Sequence, residues 1–102
     1  MAKGYWIVRI DVSDPEVYAR YIKANAEPLA RYGARFLVRG GKFESVEGKP
    51  RARNVVIEFA SHQAALDCFH DPKYQAAKAI RDPVTEADIL IIEGYDGPQP
   101  EA

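Results

Sequence analysis

Between residues 5 and 12 the chain reads Tyr-Trp-Ile-Val-Arg-Ile-Asp-Val. One parity, Trp6, Val8, Ile10 and Val12, is wholly apolar; the other, Tyr5, Ile7, Arg9 and Asp11, is mixed. Successive side chains of a strand point to opposite faces, so this pattern predicts a strand with one buried and one partly polar side. Ser13-Asp14-Pro15-Glu16 then predicts a helix start, with Asp14 as the cap and Pro15 in the first helical position. Val17, Tyr21, Pro28/Leu29 and Tyr32 continue at helical spacing. Pro28 lacks an N–H and is expected to kink or split the helix near Ala24 to Glu27. Gly33 is a natural terminator.

Residues 34–40 predict a second strand, with Phe36 and Val38 on one face and Arg35, Leu37 and Arg39 on the other. Gly40-Gly41 marks a bulge or bend. Lys42 to Ala52 is a long connection in which Phe43 and Val46 extend the strand briefly before Gly48-Lys49-Pro50 turns the chain. The stretch Arg53 to Arg81 is the centre of the pattern. Val55, Ile57 and Phe59 alternate with Asn54, Val56 and Glu58, which predicts a third strand. Ser61 caps a helix that carries Ala65, Leu66 and Phe69 inward, and Asp71-Pro72 starts a further helical segment with Tyr74, Ala77 and Ile80 or Arg81 inward. Asp82-Pro83 ends it. Ile89 to Glu93 is a fourth strand, apolar on both parities until Glu93.

The order β-α-β-β-α-β predicts an α+β, ferredoxin-like fold: a four-stranded antiparallel sheet in the order 4-1-3-2 with the helices on one face. The parity of Trp6, Val8, Ile10, Phe36, Val38, Val55, Ile57, Phe59, Leu90 and Ile92 is expected beneath the helices. Ile7, Leu37, Val56, Ile89 and Ile91 then fall on the opposite face, and an apolar patch of that kind marks an interface. A homodimer in which two sheets face each other as a barrel is the expected assembly. Residues 1–95 form the domain and 96–102 a C-terminal tail.

Composition narrows the function classes. The chain has 102 residues, a net charge of −1, 47% hydrophobic and 28% charged residues, an ordinary globular balance. Basic residues are dispersed, so neither a nucleic-acid stripe nor a basic membrane patch is expected. No apolar run is long enough to span a bilayer. Cys68 is the only cysteine, which excludes an intrachain disulfide and fits a reducing cytoplasm. No metal-ligand spacing, phosphate loop, nucleophile elbow or dinucleotide fingerprint occurs, so neither metal nor cofactor is expected.

Tyr5-Trp6-Ile7, Asp14-Pro15 with Tyr18 and Tyr21, the run from Arg31 to Gly41 (Arg-Tyr-Gly-Ala-Arg-Phe-Leu-Val-Arg-Gly-Gly), Val56 to Phe59, and Tyr74 to Lys78 with Arg81 resemble the family called domain of unknown function 1330, within the dimeric α+β barrel superfamily. The resemblance spans residues 4–95, and the Arg31 to Gly41 run is its most specific part. It implies the fold and dimerisation rather than a reaction. The superfamily includes cofactor-free monooxygenases of small aromatic compounds, stress-responsive barrel proteins and ligand-binding regulator domains.

Two constellations could carry chemistry. Arg9, Arg39, Asn54, Glu58 and Glu93 are expected on the mixed sheet face, with Glu58 near Arg9 or Arg39; this would bind an acidic small molecule, or form a structural ion-pair network at a dimer interface. Tyr18, Tyr21, Tyr32 and Tyr74, with Asn25 and Arg81, would line a cleft between helix and sheet, or simply pack at the core margin. His62 and His70 are eight residues apart, too far for one metal without further ligands. Cys68 reads as a small buried hydrophobe. A cofactor-independent enzyme on a small acidic or aromatic molecule would use Glu58 or His70 as base. Arg39 and Arg81 would anchor the anion, and Tyr18, Tyr21, Asn25 and Tyr74 would orient the substrate. The alternatives are a small-molecule binding or stress-response module without turnover, and a purely structural dimer.

Overall fold

The computed structural model describes residues 2–101. Strand β1 (Gly4–Val12) leads into α1 (Pro15–Arg31), followed by β2 (Arg35–Arg39) and β3 (Arg53–Phe59). Helices α2 (His62–His70) and α3 (Pro72–Arg81) come next, then a 3-10 turn at Asp82–Val84 and β4 (Thr85–Glu93). The described strands form one sheet in the order β2-β3-β1-β4, antiparallel throughout. This is the expected ferredoxin-like arrangement, with the second helix divided at Asp71-Pro72.

The helix starts follow their capping residues. The Asp14 carboxylate accepts from the N–H groups of Glu16 at 3.1 Å and Val17 at 3.3 Å. Ser61 Oγ accepts from Ala64 N–H at 3.0 Å, and Asp71 from Lys73 N–H at 2.8 Å. Each satisfies a backbone donor that the first helical turn leaves unpaired. Gly33 leaves α1 with φ of 71°, where a side chain would be strained. The split expected at Pro28 does not occur: α1 is continuous and buries Pro28 near its C-terminal end. So close to that end, the missing N–H costs the helix one bond, while the ring fills the core.

The core lies between the sheet and the helices. Trp6 is at its centre, its indole N–H donating to Ala65 O at 2.9 Å. Its ring lies 5.2 Å from Phe59, 4.9 Å from Tyr74 and 5.8 Å from Phe69, centroid to centroid. These are ordinary tilted and edge-to-face aromatic separations.

Two strands depart from the faces expected, β4 by parity and β2 by a bulge. In β4, Ile91 pairs with Trp6 and Ile89 with Val8, so Ile89 and Ile91 pack beneath the helices. Leu90 and Ile92 take the open face, 52% and 51% exposed, the reverse of the parity expected from sequence. In β2, Phe36 pairs with Ile57, but Val38 pairs with Val56 and Arg39 with Val55. A bulge between Phe36 and Val38 therefore moves Val38 to the open face and Arg39 to the helix side.

The connection from Lys42 to Ala52 contains no strand, and Phe43 and Val46 are exposed rather than paired. It is tied down by Arg9 Nη2, which donates to Lys49 O at 2.6 Å, and by Arg51, which reaches Asp11 at 2.8 Å and Asp88 at 2.7 Å.

Candidate active or binding site

The inward face of α1 carries Tyr18, Tyr21 and Asn25, spaced three and four residues apart so that they stack on one side of the helix. Helix α3 presents Tyr74 and Arg81 towards it, both buried. The hydroxyls of Tyr21 and Tyr74 are 2.8 Å apart, and the rings of Tyr18 and Tyr21 are 5.3 Å apart. The Arg81 guanidinium lies 5.3 Å from the Tyr21 ring centroid, and that of Arg53 lies 5.7 Å from Tyr18. A polar seam thus runs from Arg53 on β3 through Tyr18, Tyr21 and Tyr74 to Arg81.

Burial sets the protonation of this seam. It is the main cause that raises the Tyr18 and Tyr74 hydroxyls above the usual tyrosine value, with the neighbouring Tyr21 adding to it. Both are neutral at physiological pH and serve as hydrogen-bonding groups rather than as bases. Arg81 is only 3% exposed. Its Nη1 donates to Asp82 at 3.2 Å, while Nε and Nη2 have no hydrogen-bond partner among the described residues.

Two hollows run along α1. One, of about 340 Å³, is walled by Val12, Pro15, Tyr18, Ala19, Ile22 and Arg53. The other, of about 290 Å³, lies between Ile22, Asn25, Leu29, Phe36 and Arg39. Ile22 lines both, and each has one guanidinium beside an apolar wall. Arg39 lies 4.1 Å over the Phe36 ring. Arg53 packs against Gly40, where a Cβ would come within 2.5 Å of its Nη1. A larger hollow of about 520 Å³ lies on the open side, between Arg9, Asn54 and the exposed connection that follows β2.

Of the residues singled out by sequence, Tyr18, Tyr21, Asn25, Tyr74 and Arg81 come together, and the bulge brings Arg39 to their side of the sheet. Glu58 and His70 do not join them. Glu58 lies on the open face opposite Arg35 and Tyr5, and accepts from the Tyr5 hydroxyl at 2.9 Å. The expected pairing with Arg9 or Arg39 is therefore wrong: Arg9 sits opposite Asn54 and holds Lys49, and Arg39 faces the helices. Glu93, opposite Gly4, belongs to the helix-side parity. His70 is exposed at the end of α2, with its ring 5.4 Å from Phe69. Tyr32 also stands apart, donating to Asp71 at 2.8 Å. Cys68 is buried, as expected. His62, in the first turn of α2, is half-buried. Arg53 was not singled out, yet its place in the Val55, Ile57, Phe59 parity was a readable sign that it faces the helices.

Among the described residues no group of three or more His, Cys, Asp or Glu is placed to hold a metal ion. No helix among them is long and apolar enough to cross a membrane.

A profile of the family described as Domain of unknown function (DUF1330) matches residues 3–95. The chain belongs to that family. Solved structures share the fold of this DUF1330 protein. RPA0582, a protein of unknown function from Rhodopseudomonas palustris, superposes with a TM-score of 0.77 at 14% identity, over 94% of this chain and 85% of the other. SnoaB, a cofactor-independent oxygenase from Streptomyces nogalater, gives 0.63 at 13% identity, over 99% and 100%. A dimeric ferredoxin-like protein of unknown function from Thermobifida fusca gives 0.58 at 17% identity, over 90% and 89%. Likeness at these identities concerns the fold, not the reaction. The comparison with curated proteins gives no match.

Proposed function

We propose that this DUF1330 protein is a cytoplasmic homodimer that binds a small organic acid with an aromatic or otherwise apolar body in the groove along α1. The observation that carries this reading is the pairing of Arg53 with the Tyr18, Ile22 and Val12 walls of the 340 Å³ hollow. A guanidinium beside an apolar slot matches a molecule with a carboxylate at one end and a ring at the other. Arg39 and Asn25 supply a second polar edge one hollow further along α1. Dimerisation is supported by the open sheet face, where Leu37, Val38, Leu90 and Ile92 are exposed around half-buried Ile7 and Val56.

Catalysis without a cofactor is the second reading, and it draws on the fold shared with SnoaB. Glu58 and His70 lie outside the groove walls, so neither is placed as a base for a molecule held there. The two readings separate in one experiment with 1-naphthoate as the probe. Binding predicts a saturable rise in melting temperature that Arg53→Ala abolishes. Absence of that rise in the wild type overturns the proposal. Mass spectrometry of the probe after aerobic incubation decides turnover: an oxygenated product supports the enzyme, and unchanged probe supports binding alone.

A further inference from the structure

We infer that the groove along α1 takes a dicarboxylate: an apolar body with one acid group gripped by Arg53 in the first hollow and a second by Arg39 and Asn25 in the next. This assignment rests on the groove being an organic-acid site, and narrows the acid to one class. Arg39 stands opposite Val55 in the β2–β3 register, and Arg53 lies two residues before Val55 on the same strand, so both face the helices. The two arginines are therefore diagonal neighbours, roughly 7–8 Å apart at the backbone. Ile22 is common to both hollows, so one molecule lying along α1 can reach both guanidiniums.

Neither of these charges is met by an acid. Arg31, Arg51 and Arg81 each pair with a carboxylate. Arg39 and Arg53 form no ion pair among the described residues, and no acidic side chain walls either hollow. They lie instead against rings, Arg39 over Phe36 at 4.1 Å and Arg53 by Tyr18 at 5.7 Å. A ring face holds a guanidinium in place without neutralising it. Like charges set side by side on a sheet are destabilising, and two carboxylates of one ligand offset that. Asn25 is an independent pointer. It is 5% exposed and lines the second hollow, and its side-chain amide has no hydrogen-bond partner among the described residues. Buried amides are normally paired, so this one is left to donate to a group lodged in the hollow. Arg39 and Asn25 together offer a donor to each oxygen of one carboxylate.

The test is calorimetric titration of the whole chain with 2-naphthoate and with naphthalene-2,6-dicarboxylate, which differ by one carboxylate on the same rings. The diacid is expected to bind about tenfold more tightly, the worth of one charge-assisted contact. Arg39→Ala and Asn25→Ala are each expected to erase most of that gain and to leave 2-naphthoate binding unchanged, whereas Arg53→Ala weakens both ligands. A diacid that binds no tighter than the monoacid, or a gain that survives Arg39→Ala, overturns the dicarboxylate and leaves the groove as a site for a single acid group. Binding of neither ligand overturns the groove reading and this one together. Arg39 is exposed, so Arg39→Ala folds even where Asn25→Ala does not.

Discussion

The hydroxyls of Tyr21 and Tyr74, 2.8 Å apart inside the core, join α1 to α3 across 53 residues of chain. Tyr74 is 0% exposed and Tyr21 7%, so water does not replace the bond when one partner is lost. Tyr74→Phe strands the Tyr21 hydroxyl, and an unsatisfied buried hydroxyl costs about 1–3 kcal/mol. The double variant Tyr21→Phe/Tyr74→Phe is expected to lose less than the sum of the two singles, because it strands nothing. Urea denaturation followed by Trp6 fluorescence measures all four proteins. Strictly additive losses would show that the two hydroxyls do not support one another.

Asp71 joins α3 to the end of α1: it caps α3 and accepts from both Arg31 at 2.5 Å and Tyr32 at 2.8 Å. The Lys73 backbone N–H, then the Tyr32 hydroxyl and the Arg31 charge, hold its carboxyl below the usual value. A depressed folded value means that its stabilisation is whole above the unfolded-state value near about 3.9, and is lost as pH falls through the lower folded value. The stability gap between wild type and Asp71→Asn is therefore expected to stay constant from neutral pH to mildly acidic pH, then close below about pH 4. Chemical denaturation at several pH values reads this directly. A gap that closes near neutral pH would assign the effect to another group.

Alternation was enough to read β1 and β3, because each has one apolar and one mixed parity. It failed in β4 because Ile89, Leu90, Ile91 and Ile92 are all apolar, so either parity fits a buried face. The pairing of Val12 with Thr85 and of Trp6 with Ile91 sets which one is inside. It failed again at Arg39, since a bulge adds one residue without changing the composition of Arg-Phe-Leu-Val-Arg. The helix caps were legible because Asp14, Ser61 and Asp71 act on donors two or three residues away. The tyrosine cluster was legible from helical spacing. The separation of Glu58 and His70 from it depends on which face each element presents, a tertiary property that local spacing does not carry.

Burial pushes the Cys68 thiol up to about 12. The thiolate is the reacting species, and it is scarce at pH 8 for a thiol of that kind. Folded protein is expected to resist a thiol reagent such as DTNB at pH 8, and to release one equivalent per chain only in denaturant. Rapid labelling without denaturant would place Cys68 at the surface and contradict its position beside Pro28 O.

Gly40 adopts φ of 66° and gives Arg53 its place. Gly40→Ala combines backbone strain, about 1 kcal/mol, with a methyl group that meets the guanidinium. The substitution is expected to lower the melting temperature modestly and to weaken 1-naphthoate binding more than Gly41→Ala does, since a Cβ at Gly41 meets nothing within 4 Å. Equal effects of the two variants would detach Arg53 from the groove.

Ile91 and Ile92 are neighbours in sequence with opposite surroundings: the first packs on the core, the second is 51% exposed on the open sheet face. Ile91→Ala is expected to cost about 1–3 kcal/mol of folding stability, at or below the low end of the range for a fully buried side chain, because Ile91 is partly buried against the core. Ile92→Asp together with Leu90→Asp removes apolar surface only from the open face. If two copies meet there, an interface of roughly 1,200–2,000 Å² in total loses its centre and gains four carboxylates, two from each copy. Sedimentation equilibrium is then expected to show wild-type dimers and variant monomers, with circular dichroism unchanged between them. A variant that stays dimeric moves the interface away from the sheet. A wild type that sediments as a monomer leaves Leu37, Val38, Leu90 and Ile92 as solvent-exposed surface and removes the barrel.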